Sequence, residues 1–98
     1  MLYVMTLEWQ PGLSREERDG ALARRAGWTY PPGLTVEGEY WLGAENPAVV
    51  IVFQAESFTP IMEVSLAWGD KFKITAYPAV TAAEGLAAGA EALGRRVA

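Results

Sequence analysis

Two short runs, LYVMTL at residues 2–7 and AVVIVF at residues 48–53, have almost no polar side. A strand exposed on one face alternates apolar with polar residues, so unbroken apolar runs of this length call for cover on both faces. The chain has 98 residues, about half of them apolar. That is enough for one core, with little to spare. These two runs must therefore be central strands, and the other elements are read by how they cover them.

The first strand, Leu2 to Trp9, stops at Gln10-Pro11-Gly12. Ser14 with Glu17 then has the spacing of a capping box, which starts a helix running to about Ala26 and ending at Gly27. The apolar stripe of that helix, Ala21, Leu22 and Ala26, is thin and suits a helix laid on a sheet. WTYPPG, residues 28–33, is a turn, followed by a strand from Leu34 to Leu42. A short connection leads into the strand Ala48 to Phe53. Ser57 or Thr59 caps a second helix with Pro60 in its first turn and Ile61, Met62, Ser65 and Leu66 at helical spacing. Gly69-Asp70 ends it, and Lys71 to Ala79 forms the fourth strand. Thr81 with Glu84 opens a terminal helix whose narrow stripe is Leu86, Ala90, Leu93 and Val97. Three glycines in that helix each cost about 1 kcal/mol, so it needs a surface to lean on.

The order β-α-β-β-α-β plus a helix predicts a ferredoxin-like α+β domain over residues 1–80, with antiparallel strand order 4-1-3-2. Residues 81–98 are expected to pack on the same domain or on a partner subunit. In that order the two apolar strands are central. The edges carry the charges, Glu37 and Glu39 on the second strand and Lys71 and Lys73 on the fourth, as edge strands commonly do. Both helices cover one face, which leaves the other face apolar and open. Closure by a second copy, sheet face to sheet face, is the simplest solution, so a homodimeric α+β barrel is expected. In such a dimer Glu37 and Glu39 of one edge meet Lys71 and Lys73 of the other. These pairs set register more than affinity.

Composition removes several chemistries. The absence of cysteine and histidine excludes disulfides, thiolate nucleophiles, Ser-His triads and the usual zinc and haem ligands, and no metal site or cofactor is expected. The net charge is −4, and the only adjacent basic pairs, Arg24-Arg25 and Arg95-Arg96, sit near predicted helix ends. Nucleic acid is therefore not an expected partner. No apolar run approaches the ~18–20 residues of a membrane span, and the start of the chain lacks a basic leader pattern. A cytoplasmic protein is expected.

The patterns MLYVMTLEWQPG, SREER, W-x-x-PP-G and AWGDKFKITAYPAV resemble the domain-of-unknown-function family numbered 3303 over about residues 1–80. The resemblance implies membership of the dimeric ferredoxin-like barrels. That group includes cofactor-free monooxygenases of antibiotic biosynthesis, muconolactone isomerases and haem-binding relatives of chlorite dismutase. The resemblance implies no catalytic residues, and the lack of histidine argues against haem and histidine-based isomerase chemistry.

Within VEGEYWLG, residues 36–43, Glu37 and Glu39 fall at i and i+2 of a strand, on one side and about 6.5–7 Å apart. The carboxylates of an inverting glycosidase flank their bond from opposite sides, so an edge-strand role fits better. Four tryptophans and seven other aromatics supply either core or the wall of a small-molecule pocket. For such a pocket Trp9, Tyr40, Trp68 and Asp70 are the expected ligand-binding residues. Trp68-Gly69-Asp70 also reads as a plain helix C-cap and turn. Tyr40 and Trp41 point to opposite faces, so one of them at most lines a pocket under the helices. Three functions follow: a homodimeric binding or accessory protein for a small aromatic ligand, a cofactor-independent monooxygenase or isomerase, or a structural module. The second needs a base, for which Glu39, Glu8 or Asp70 qualifies only if burial raises its pKa.

Overall fold

The computed structural model describes residues 1–97, and of Val97 only the backbone. The expected contribution of the Val97 side chain to a helical stripe, and Ala98, lie outside the described residues. The elements are β1 (Leu2–Trp9), α1 (Arg15–Gly27), β2 (Leu34–Trp41), β3 (Val49–Ala55), α2 (Thr59–Trp68), β4 (Phe72–Ala79) and α3 (Ala82–Val97). One antiparallel sheet has the order β2-β3-β1-β4, the ferredoxin-like arrangement expected from the sequence. The apolar strands β1 and β3 are central, and the charged strands β2 and β4 are the edges.

Strict alternation of burial along β3 shows which face the helices cover. Val49, Ile51, Phe53 and Ala55 are buried, whereas Val50, Val52 and Gln54 between them are half-buried. In register with the buried set lie Leu7, Met5 and Tyr3 of β1. Ile61, Val64 and Trp68 of α2 complete the core with Phe72 of β4. Among the described residues, none forms a layer over the opposite face of the sheet, centred on Val4, Thr6, Val50 and Val52.

The helices differ from expectation in the residues they bury. The capping box of α1 forms as predicted, with the Glu17 backbone N–H donating to Ser14 Oγ at 3.1 Å. Only Ala21 of its predicted stripe is buried, and Leu22 is half exposed. Arginines take over the contact. Arg18 lies over Trp9, Arg24 over Trp68 at 4.2 Å, and Arg25 over Trp28 and Tyr30. A guanidinium stacks on an aromatic face while its alkyl stem covers apolar surface. In α2 the buried face is Ile61, Val64 and Trp68, and the predicted members Met62 and Leu66 face outward. Neither Ser57 nor Thr59 caps this helix. Phe58 holds the N-cap position without a side-chain hydrogen bond.

The terminal helix leaves Leu86 and Leu93 of its expected stripe exposed. The Glu84 N–H donates to Thr81 Oγ1 at 3.1 Å, so α3 starts as predicted. It then runs away from the domain, giving a molecule 59 Å long and 18 Å thick. Its Leu86 remains 76% exposed.

Gly33 holds φ near +98° where the chain enters β2, and a Cβ there would sit 3.2 Å from Pro60 Cγ at the start of α2. Both the dihedral and the contact penalise any side chain. Gly33→Ala is expected to lose about 1–2 kcal/mol in urea unfolding. Gly43→Ala, where a Cβ meets nothing, serves as control and should change little.

Candidate functional site

The second strand carries one extra residue. Val36 pairs with Phe53, but Gly38 pairs with Val52 and Glu39 with Ile51, so the register slips by one at Glu37. A β-bulge of this kind places consecutive residues against a single partner and re-aims the side chains that follow. Glu37 and Glu39 therefore do not share a side, contrary to the simple alternation. Glu37 accepts a hydrogen bond from Gln54 Nε2 (3.2 Å) on the open face. Glu39 turns under the helices. The signal was present in the sequence, because glycine inside a strand often marks a bulge, and Gly38 does so here.

Under the helices Glu39 meets three donors. Arg25 Nε and one of its terminal nitrogens grip both carboxylate oxygens, the shortest contact being 2.7 Å. The Tyr30 hydroxyl donates to Oε1, and Trp41 Nε1 donates to Oε2 at 2.9 Å. Arg25 is itself aimed by a bond to the Trp28 carbonyl at 2.9 Å. The Glu39 side chain is only 17% exposed. Burial is the largest single influence on it and would push its pKa up. The hydrogen bonds from Arg25, Tyr30 and Trp41, with the Arg25 charge, outweigh that and bring it down to about 2. Tyr30 moves the other way. Burial, then the hydrogen bond and charge of Glu39, raise its phenol well above the ordinary value.

This cluster closes one end of an apolar cavity of about 20 Å³. The walls are Trp28, Trp41, Trp68 and Phe72, with Leu7, Val49, Ile51 and Val64 beneath. Trp68 stacks edge-on against Trp28, and Trp41 edge-on against Phe72. A space of this size holds about one water molecule. Trp41 forms its outer wall and is 41% exposed, at the last position of an edge strand.

Of the residues expected from the sequence, Trp68 lines this cavity. Trp9 stacks on the far side of Phe72 at 4.3 Å, under Arg18. Tyr40 lies on the open face, more than half exposed, with its ring across Gly38. Asp70 sits at the surface in a two-bond pair with Arg24 (3.0 and 3.2 Å), and the Arg24 hydrogen bond lowers its pKa. The aromatic of the Tyr40-Trp41 pair that reaches the helix side is Trp41. Arg25 and Tyr30, which are not among the four expected ligand-binding residues, join the cluster. Of the four charges expected along the two edges, Glu39 is committed to Arg25, Lys71 lies 3.6 Å from Glu17, and Glu37 accepts from Gln54.

Neither Glu39 nor Asp70 meets the requirement for a general base, since both are shifted down rather than up. Among the described residues no group of three or more acidic side chains is placed to hold a metal ion. No helix of the described chain is long and apolar enough to cross a membrane.

The sequence model of a family described as Domain of unknown function (DUF3303) matches residues 1–93. The chain belongs to that family. No curated protein matches it, and no solved structure does. The DUF3303 match takes in β1 through most of α3, so it covers every element of the cluster around Glu39.

A carboxylate whose folded pKa is depressed stabilises the fold above its unfolded pKa, near 4.5, and loses that contribution as the pH falls toward about 2. Glu39→Gln should therefore flatten the loss of stability between these two values. At pH 7 it should cost about 1–3 kcal/mol, because Arg25 is left without its charged partner. Urea titrations of both proteins at pH 7, 4 and 3 check this.

Proposed function

We propose that this DUF3303 chain is a homodimeric binding or accessory protein for a small aromatic molecule, seated where Trp41 meets the cavity. The observation behind this reading is the combination of aromatic walls with one polar cluster at a single end. Ligand sites are commonly of that composition, with the polar group fixing orientation. The space is too small for a ring, so the ligand enters by displacing Trp41. That side chain is held inward by one hydrogen bond to Glu39 and an edge contact with Phe72.

Binding is favoured over monooxygenase or isomerase chemistry by the state of Glu39. Proton abstraction needs a base whose pKa approaches the working pH. An ion-paired carboxylate at about 2 is a hydrogen-bond acceptor and an orienting charge instead. The volume of about 20 Å³ favours a second reading, a structural module whose aromatics are all packing.

Dimerisation through the open sheet face completes the proposal. It is supported by the half-buried Val4, Val50 and Val52 at the centre of an uncovered sheet. Such an interface is isologous, with each valine row meeting its own copy. Light scattering is expected to give twice the chain mass of 10.6 kDa. Val52→Glu should weaken the association, read as a mass that falls toward one chain on dilution.

Calorimetric titration with naphthalene-, indole- and phenol-type compounds tests the ligand site. Wild type is expected to bind at least one class, and Trp41→Ala to bind it about tenfold or more tightly, since the displacement cost is removed. If neither protein binds any of them, the structural module is the better reading.

A further inference from the structure

We infer that α3 of one copy packs, antiparallel, on the outer face of α2 of a second copy. This goes beyond the ligand reading and does not depend on it. The inference rests on two apolar stripes, each without cover. Phe58, Met62 and Leu66 recur every four residues along the outer side of α2, and Leu66 is 74% exposed. Along α3 the stripe is Leu86 and Leu93, with Gly89 between them.

The stripes match in length and relief. Phe58 to Leu66 spans about 12 Å of helix, and Leu86 to Leu93 about 10 Å. On α2 the stripe is an i, i+4 ridge of three large side chains. On α3 the middle of the stripe is Gly89, where a Cβ would meet nothing within 4 Å. A ridge of large residues packs into a groove lined by small ones, and glycine lets the two backbones approach.

Charge selects the direction. From residue 56 to 69 the only charged side chains are Glu56 and Glu63, both acidic. The last turn of α3 carries Arg95 and Arg96. Antiparallel packing brings the basic end of α3 to the acidic start of α2, with the two helix dipoles opposed. Arg95 holds only Glu91 of its own helix, an exposed pair worth little and readily exchanged.

A second copy is the occupant because α3 leads away from its own α2, along the 59 Å axis of the molecule. A helix of 16 residues with three glycines is marginal in water without a packing partner. Two-fold exchange supplies one to each copy and buries both stripes twice.

The chain has no cysteine, so single introduced thiols report contacts cleanly. Phe58→Cys copies mixed with Leu93→Cys copies and oxidised are expected to give a crosslinked product of two chains. Leu66→Cys mixed with Leu86→Cys should do the same. Phe58→Cys with Leu86→Cys, about 10 Å out of register, should give little. Circular dichroism confirms that each variant is folded. Arg95→Glu with Arg96→Glu should reduce the Phe58–Leu93 product, and adding Glu56→Lys with Glu63→Lys should restore it. Absence of a mixed product, or a product indifferent to these charges, overturns the proposal. So does a looped single-chain product in the Phe58→Cys/Leu93→Cys double variant at high dilution, which shows α3 folding back on its own domain.

Discussion

The contact between Arg25 and Glu39 is the joint on which the helix layer depends. The first helix brings a single buried apolar side chain, Ala21, to the sheet. A helix so poor in apolar surface is not held by burial alone, at about 25 cal/mol per Å². Its hold comes from arginines that lie flat on tryptophan and tyrosine rings and end in ion pairs with Glu45, Asp70 and Glu39. The first two pairs are exposed at their acidic partners and contribute little. The third is sheltered and satisfied by three separate donor groups. It ties the last turn of α1, the turn at Tyr30 and the edge strand β2 to one carboxylate.

That joint also defines what the cavity can do. Desolvating a carboxylate is costly, and the structure offsets the cost with donors rather than by protonation. The result is a fixed negative charge whose oxygens are occupied, beside a small aromatic space. Moving Trp41 frees one lone pair of Glu39 Oε2 while Arg25 and Tyr30 keep the charge in place. Glu39 is thus a hydrogen-bond acceptor and an orienting charge, which separates it from a carboxylate built to take up a proton.

The fold was legible because it is written in coarse patterns. Two strands without a polar face had to be central, and capping boxes at Ser14 and Thr81 marked helix starts that the structure reproduces. The cluster was legible only in fragments. Strand alternation placed Glu37 and Glu39 together, and one extra residue at the bulge, marked by Gly38, parted them. By its position Arg25 is a charge complementing the end of its helix, which it also is in the structure. No local rule pairs it with a residue fourteen positions on, because that proximity arises from the packing of α1 across the sheet. The outward turn of Met62 and Leu66 has a similar origin. Helical periodicity allows two adjacent apolar faces on α2, and the large ring of Trp68 chose the one containing Val64.

The two surfaces left over by this packing are different in kind. The open sheet face has half-buried valines at its centre and the charges of Glu8, Glu37 and Lys73 around them. The outer side of α2 is a narrow ridge that a single helix can cover. The DUF3303 match extends through residue 93 and so includes the part of α3 bearing Leu86 and Leu93. An amphipathic helix with interior glycines contributes little by itself, and its apolar side chains cost solubility while they stay exposed.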